Sequence, residues 1–321
     1  MSRVLRFLGL VLGIAVLGWL VAHADLGTLI GVFPHIGWGF IAILAVRVAT
    51  VLMNTAGWRF LIPSADRPPF AVLATFRWIC EAINAILPVG QIGGDVVRAR
   101  LLQQRSSAPA RGAASVAVDF CITLVAEALF TVLGFVLLAW RSAEAGWWPV
   151  AASAALLPVL GLFGWELLVH RRLLAALQRG LLRLGRRRLA ESVQSLSAAL
   201  TLVAGSRTGL ALALALHTLT FFTHAFETWL TLYLMGAPTG FAGAVMLESL
   251  SFAARSAAFL IPSGWGAQEA ALVALAAAAG LSPDDALALG LVKRAREFAV
   301  GLPGLAAWAI AERRGASAPP G

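Results

Sequence analysis

The chain has 321 residues, of which 60% are hydrophobic and 13% charged, and its formal net charge is +9. With a mean hydropathy of +0.83 it is too apolar for a soluble domain, and its repeated apolar runs are long enough to span a bilayer. In a soluble protein this charge would suggest nucleic-acid binding, but here the arginines cluster between apolar runs, where they orient membrane helices. We therefore expect a polytopic membrane protein that does not bind nucleic acid.

The N-terminal segment has some features of a signal peptide but is longer than one. Arg3 and Arg6 precede an apolar run over 7–22, and residues 22–24 (AHA) have the small residues of a cleavage site. Because the run is long enough to remain in the membrane, we expect residues 1–36 to form a retained first helix and an outer loop.

Further apolar runs follow along the chain, and none keeps the strict alternation of polar and apolar residues that marks a half-buried strand. We therefore predict an all-α polytopic membrane protein with about 8–10 membrane helices or half-helices. The predicted helical runs are 4–21, 37–60, 70–87, 112–140, 147–169, 208–233, 241–261, 264–279 and 285–311.

Basic residues assign the loops to the two sides of the membrane. Arginine clusters near both termini and in the longer loops all fall on the same side of the predicted topology, which the positive-inside rule makes the cytoplasm. We expect both termini on that side. The stretch 170–207 is then a basic cytoplasmic loop or an amphipathic helix on anionic lipid, and 315–321 is a disordered tail.

One short pattern occurs twice in the chain. Residues 87–95 (LPVGQIGGD) and 261–269 (IPSGWGAQE) share an apolar residue before Pro, a Gly two positions after that Pro and an acid seven positions after it. Pro88 and Pro262 hold the same place in the two copies. Each copy separates two apolar runs and so predicts a helix broken by Pro and Gly within the membrane. Paired broken helices in two halves of a chain are typical of transporters.

The offset between the two copies also aligns the apolar runs that surround them. The helices that lead into the motifs enter from opposite sides of the predicted topology, so the match predicts an inverted repeat. The first half is 37–169, with its motif extended over 84–102, and the second half is 208–314, with its motif at 261–269. Chance alignment of apolar helices is the alternative explanation of the extended match.

Each motif starts a new helix with free backbone N–H groups, glycines that permit close approach, and an acid in the first turn. Asp95 and Glu269 either complement the helix dipole or form a proton or cation site. Polar residues at helical spacing before each motif, and arginines after it, either pair within the bundle or bind an anionic headgroup. The candidate substrate-binding residues are Arg77, Glu81, Asn84, Pro88, Gly90, Gly94, Asp95, Arg98, Arg255, Pro262, Gly264, Gly266, Glu269 and Arg294.

The remaining polar residues do not define an enzyme site. His217, His224 and Glu227 share one helix face, but two imidazoles without a second ligand helix favour a polar packing seam over a metal site. Cys80 and Cys121 lack metal or redox spacing. No nucleophile elbow, P-loop or dinucleotide fingerprint occurs. We therefore assign no catalytic residue and expect no metal or cofactor.

Residues 84–102 (NAILPVGQIGGDVVRARLL) resemble the flippase-like transmembrane region of lysylphosphatidylglycerol synthases and its stand-alone relatives. Residues 261–269 and 294–297 are similar to that family's second and third landmarks, and 81–84 together with the first motif resembles the subgroup found with hopanoid biosynthesis genes. The resemblance implies a bacterial inner-membrane protein that moves or handles lipids. The synthases also carry a soluble aminoacyl transferase domain, and this chain ends at Gly321 without one, so we do not expect it to make lysyl lipid.

We interpret the chain as a lipid flippase or lipid-handling transporter. In this interpretation arginines hold the headgroup of an anionic phospholipid or hopanoid lipid, while Asp95 and Glu269 provide proton coupling or bind a cationic group. One alternative is a membrane-embedded enzyme that modifies a polyisoprenoid or hopanoid lipid, with Asp95, Glu269 or the His224 and Glu227 pair as acid and base. The other is a non-catalytic scaffold for lipid-synthesis enzymes, which are possible partners in either case.

Overall fold

The computed structural model describes residues 34–87, 92–105, 109–141, 172–184, 186–258 and 264–316. These residues are helical with no strand among them, which confirms the predicted all-α fold of a polytopic membrane protein. The helices of the described ranges are α1 (Gly39–Leu61), α2 (Phe70–Ile86), α3 (Gly93–Gln103), α4 (Pro109–Arg141), α5 (Arg172–Arg183), α6 (Arg187–Ala204), α7 (Arg207–Leu234), α8 (Phe241–Ala257), α9 (Ala267–Ala279) and α10 (Pro283–Ala316), with a 3-10 turn at Ser64–Asp66.

Three of these helices are long and apolar enough to cross a membrane by length and composition. They are α1 with 23 residues, α4 with 33 and α7 with 28, and each is less than half buried within the protein. An apolar helix that leaves most of its side chains uncovered requires lipid around it, because lipid is the solvent in which such a surface is stable.

Prolines mark the beginning of several helices, where their missing N–H costs nothing. Pro109 and Pro283 are the first residues of α4 and α10, and Pro69 immediately precedes α2. The offset between Pro109 and Pro283 is the same as the offset between the two motifs. Helices α3 and α9, which begin at Gly93 and Ala267, are separated by this offset too.

Helices α2 and α3 form an antiparallel hairpin around the first motif. The end of α2 meets the start of α3, where the backbone N–H of Gly94 donates to Oδ1 of Asn84 over 2.8 Å. At the opposite ends, the guanidinium of Arg105 lies 5.9 Å from the ring centroid of Phe76. A Cβ at Gly94 would lie 2.1 Å from the carbonyl oxygen of Cys80, so only glycine permits this approach.

Helices α8 and α9 pack against each other around the second motif. Gly264 and Gly266 connect them with φ values of +61° and +78°, a region that L side chains rarely adopt. A Cβ at Gly264 would also lie 2.6 Å from Cγ of Arg255. The glycines of this motif therefore bring the start of α9 against the end of α8.

Two sets of four helices, α1 to α4 and α7 to α10, pack against each other through matching pairs of helices. Helix α1 packs against α7, while α4 packs against α8 and α10 packs against α2. Small residues permit these crossings, since a Cβ at Gly134 of α4 would meet Ser249 of α8 and one at Gly304 of α10 would meet Ala82 of α2.

Apolar clusters are centred on each set and include side chains from the other set. Trp58, Leu73 and Ile79 are buried in the first set, and Leu232 and Leu289 in the second. In a lipid environment these clusters stabilise the protein by close packing rather than by removal from water.

The stretch between the two sets forms the helix pair α5 and α6 where the structure describes it. Helix α5 exposes Arg179, Leu182 and Arg183, but whether it lies on the lipid surface stays a prediction. The predicted first helix over 4–21, the predicted run over 147–169 and residues 317–321 of the tail lie outside the described residues. The predicted domain boundaries also stay predictions.

Candidate functional site

Both motifs border a single cavity of about 350 Å³, which lies between the two sets of helices. A cavity of this size is in the range of small-ligand sites in proteins. Its walls combine many charged and polar side chains with a larger apolar surface. The lining residues include Arg47, Asn54, Arg77, Glu81, Asn84, Asp95, Arg98, Asp119, Phe120, Glu127, Phe221, His224, Glu248, Phe252, Arg255, Arg296 and Glu297.

Asp119 of α4 is at the centre of the first half of the site. Its Oδ2 accepts hydrogen bonds from Nη1 of Arg77 at 3.0 Å and from Nη1 of Arg98 at 2.8 Å. Its Oδ1 lies 2.7 Å from Nε2 of His217, whose Nδ1 lies 2.9 Å from Oδ1 of Asn54. The carboxylate of Asp119 and the imidazole of His217 have no exposed surface. One carboxylate therefore joins helices α2, α3, α4 and α7.

Arg98 connects Asp119 to the acid of the first motif. Nη2 of Arg98 donates to Oδ1 of Asp95 over 2.8 Å, and its guanidinium lies 4.6 Å from the ring centroid of Trp58. Asp95 also lies near the amide of Asn84, with 3.4 Å between Oδ2 and Nδ2. Nε of Arg98 has no hydrogen-bond partner in the described part of the protein. The guanidinium is thus held by two carboxylates and stacked on an aromatic ring.

Arg77 and Glu81 pair at 2.9 Å, as their spacing of four residues on α2 predicts. Glu81 also pairs with Arg47 of α1 at 2.7 Å. The chain of contacts ends at His224 of α7, where Nε2 lies 3.5 Å from Nη1 of Arg47. A continuous series of contacts therefore runs from Asp119 through Arg77, Glu81 and Arg47 to His224, which lines the cavity.

The second half of the site has the same chemistry with different residues. Nε of Arg294 donates to Oε1 of Glu269 over 2.6 Å, and its Nη1 donates to Oε2 of Glu297 over 2.7 Å. The other oxygen of Glu269 accepts the backbone N–H of Gly266 at 2.8 Å and so completes the N-terminal cap of α9. The guanidinium of Arg294 lies 5.7 Å from the ring centroid of Trp265. Here too an arginine joins the motif acid to a second carboxylate.

Two further basic residues pair within this half. Arg255 of α8 donates to Oε1 of Glu297 over 3.1 Å, so α8 and α10 are joined at the cavity. Arg296 lies 3.2 Å from a carboxylate oxygen of Glu227 on α7. These pairs explain how α10 carries charged side chains inside a membrane protein, because a buried ion is tolerated when it has partners.

Lys293 and Glu248 form a separate buried pair between α10 and α8, and the hydroxyl of Thr228 on α7 donates to the same carboxylate. The Lys293 and Glu248 side chains are 5% and 2% exposed. Glu248 and Arg255 are seven residues apart on α8, and each has a described ion pair with a residue of α10.

An aromatic wall faces the charged groups. Phe221 of α7 and Phe252 of α8 pack edge to face with their ring centroids 5.7 Å apart, and Phe120 of α4 also lines the cavity. Glu127 on this side accepts a hydrogen bond from the hydroxyl of Ser256. The cavity is thus lined by both charged groups and aromatic rings, which suits an amphipathic ligand.

Most of the predicted site residues that the structure describes meet at this cavity. Glu269 and Arg294 do not line it. Arg294 contacts the lining residue Glu297, and Glu269 accepts a hydrogen bond from Arg294. Gly94, Gly264 and Gly266 shape the two hairpins. Pro88, Gly90 and Pro262 lie outside the described residues.

Sequence reasoning missed Arg47, Asp119 and Glu127, and it saw His217 only as part of a packing seam. The signal that would have found the first three is their charge within long apolar runs, where a charged residue is rare unless it has a function or a partner. In the described part of the chain, no group of three His, Cys, Asp or Glu side chains has the arrangement of a metal site.

The fold and the cavity define an all-α multi-pass membrane protein with a charged site among its helices. Residues 6–304 match the family described as the lysylphosphatidylglycerol synthase TM region. The match covers most of the chain, which therefore belongs to this family. Searches of curated proteins and of solved structures found no match.

Proposed function

We propose that this protein moves a lipid between the two leaflets of a bacterial inner membrane, with the headgroup in the cavity between the two motifs. One observation carries the proposal: each of two matching helix breaks, one in each half of the chain, carries a motif acid paired with an arginine in a network that lines or contacts the same cavity. A charged cavity inside a membrane protein is the arrangement expected for the path of a polar group across the bilayer.

The packing of the helices supports an inverted repeat. The second set of helices repeats the order of the first, and each set places its fourth helix against the second helix of the other. Such an exchange is what a pseudo-two-fold axis between the sets would produce. An inverted repeat has two equivalent packings that open on opposite sides of the membrane, which is the basis of alternating access.

Arg77, Arg98, Arg255 and Arg294 are the proposed headgroup ligands. Each is now paired with carboxylates, so a phosphate entering the cavity would replace these carboxylates rather than bind bare cations. The exchange keeps every guanidinium paired before and after binding. It avoids the cost of an uncompensated buried guanidinium, which is about 3–5 kcal/mol when a buried pair loses one partner.

The motif acids Asp95 and Glu269 would then hold their arginines in place while the site is empty. Asp95 bonds Arg98 at 2.8 Å, and Glu269 bonds Arg294 at 2.6 Å. The substrate class that this chemistry favours is an anionic phospholipid, or a hopanoid lipid with an anionic headgroup. The aromatic side of the cavity would contact the glycerol or acyl end of such a lipid. We place both termini in the cytoplasm on the basis of the arginine distribution.

The test is a translocation assay with the purified full-length chain in vesicles of phosphatidylcholine and fluorescent phosphatidylglycerol. Bleaching of the outer leaflet by an impermeant reductant reports how fast the inner-leaflet lipid appears outside. We expect wild-type protein to increase this rate and the double variant Asp95→Asn with Glu269→Gln to abolish the increase.

Glu312→Gln is the matched control, because Glu312 is a carboxylate on α10 that pairs with Arg100 near the surface, away from the cavity. It should translocate at the wild-type rate. Equal rates for the double variant and wild type would show that the motif acids have no role in transport. The membrane-enzyme alternative would be favoured by two results together: wild-type protein moves no labelled lipid in vesicles, and a strain that lacks the protein has altered lipid structures.

A further inference from the structure

In the first half of the site, Asp119 is the acid that loses the most stabilisation when Arg77 and Arg98 bind another anion. The side chain is 0% exposed, and of the described residues it bonds only Arg77, Arg98 and His217. Two of these three are proposed headgroup ligands, and both donate to the same oxygen, Oδ2. A phosphate that takes the two guanidinium groups therefore removes every described partner from that oxygen.

Three other acids of the network keep a partner when their arginines bind the headgroup, whereas Glu297 of the second half would keep only Arg296, at 4.0 Å. Asp95 retains the amide of Asn84, and its side chain is 16% exposed. Glu269 retains the backbone N–H of Gly266, and Glu81 retains Arg47. For these three residues a phosphate removes only part of the stabilisation of the charged form.

The groups that face Asp119 come from four helices. They are Arg77 from α2, Arg98 from α3 and His217 from α7, with Asn54 of α1 behind the imidazole. His217 points Nε2 at Oδ1 of Asp119, so this nitrogen donates a hydrogen bond whether the ring is neutral or charged. When both arginines bind the phosphate, the remaining hydrogen bond from His217 stabilises the fully buried carboxylate of Asp119 less than the two guanidinium groups did.

We propose that Asp119 takes up a proton each time a phosphate-bearing headgroup binds to Arg77 and Arg98, and releases it when the headgroup leaves. The proposal rests on the proposed function and adds the coupling ion and the group that carries it. An O–H bond forms at Oδ2 while one O–H bond of a hydronium ion in the cavity breaks and leaves a water molecule, and Oδ1 keeps its hydrogen bond from His217. No other bond forms or breaks.

Protonation of Asp119 keeps the net charge of the site constant when the headgroup binds. A phosphodiester brings one negative charge into the cavity, and the proton on Asp119 brings one positive charge. The net charge of the site is then the same with and without the lipid, so an anionic headgroup crosses the membrane without adding to the charge that the protein must bury. Transport of the lipid would be linked to movement of a proton.

The test is infrared difference spectroscopy on the full-length protein in detergent, perfused first with dihexanoyl phosphatidylglycerol and then with inorganic phosphate. We expect the lipid to produce a carbonyl-stretch band of one protonated carboxylic acid. The band should be absent from Asp119→Asn and present in the control Glu312→Gln. In wild-type protein labelled with carboxyl-¹³C aspartate the band should shift, which assigns it to aspartate even if the variant does not fold.

The two probes distinguish the sources of the phosphate. A band with the lipid alone means that the site requires the whole headgroup, and a band with both means that phosphate itself is sufficient. Binding without a band, a band that survives Asp119→Asn, a band that the aspartate label does not shift, or no binding of either probe would overturn the proposal.

The outcomes remain distinct from those of the translocation assay. Translocation without the band would support the flippase proposal and show that headgroup binding does not protonate Asp119. The band without translocation would mean that headgroup binding and protonation occur in a protein with a different lipid function.

Discussion

Arg98 and Asp119 form an ion pair in the interior of the protein, with 2.8 Å between Nη1 and Oδ2 and side chains that are 1% and 0% exposed. Arg98 belongs to α3, the short helix after the first motif, and Asp119 belongs to the long apolar helix α4. The pair therefore anchors the motif helix to a membrane span. Because Arg98 also holds Asp95, the position of the motif acid depends on this anchor.

Loss of the ion pair between Arg98 and Asp119 should lower the stability of the protein. Replacement of Arg98 by Met leaves Asp119 and Asp95 without their shared cation, and we expect the protein to lose about 3–5 kcal/mol of stability. Arg100→Met on the same helix is the control, because Arg100 is 61% exposed where it pairs with Glu312 and should contribute about 0–1 kcal/mol. Thermal unfolding of both variants in detergent measures the difference. Similar midpoints for the two variants would contradict the buried pair.

The α2–α3 hairpin should not tolerate any side chain at Gly94. A Cβ there would lie 2.1 Å from the carbonyl oxygen of Cys80, so Gly94→Ala must push the two helices apart and displace Asp95 from Asn84. We expect both lower thermal stability and loss of translocation. Gly180→Ala in α5 is the control: a Cβ there meets nothing within 4 Å, and alanine should stabilise the helix by about 0.5–1 kcal/mol. A Gly94→Ala protein that is as stable and active as wild type would refute this close approach.

The geometry of Arg294 should matter as well as its charge. Nε binds Glu269 while Nη1 binds Glu297, and the single ammonium group of Lys lacks this fork. One charge-assisted hydrogen bond contributes about 1.5–3 kcal/mol, so Arg294→Lys should slow translocation by about tenfold or more. Arg183→Lys on the exposed face of α5 serves as the control and should leave the rate unchanged. An Arg294→Lys variant at the wild-type rate would mean that charge alone is sufficient at this position.

The pair of Glu248 and Lys293 offers a double-mutant test. Glu248→Leu or Lys293→Met alone leaves one buried charge without its partner and should cost about 3–5 kcal/mol. The double variant removes both charges and should lose less stability than either single variant, even though Thr228 also loses its acceptor. Unfolding midpoints of the four proteins measure the coupling. Simple addition of the two single effects would show that the residues do not act as a pair.

Several features of the site followed from local sequence patterns. Residues four apart on one helix lie side by side, so the contact between Arg77 and Glu81 was predictable from spacing. The two Pro and Gly motifs predicted helix breaks: the helix before each motif ends ahead of it, and the next helix begins within it, at Gly93 or Ala267. Pairing across helices was not predictable in this way. Glu248 and Arg255 are two turns apart on α8, too far to pair with each other, and tertiary packing gives each of them a partner on α10.

By itself the sequence determined that this is an all-helical membrane protein with two related motifs, because hydropathy and the effects of Pro and Gly act over a few consecutive residues. Only the tertiary structure decided that Asp119 joins Arg77, Arg98 and His217. These partners are 42, 21 and 98 residues away from it along the chain, and no local pattern specifies such a meeting. The choice depends on which helices pack together, and that is set by the fit of small residues such as Gly134 and Gly304 against neighbouring helices.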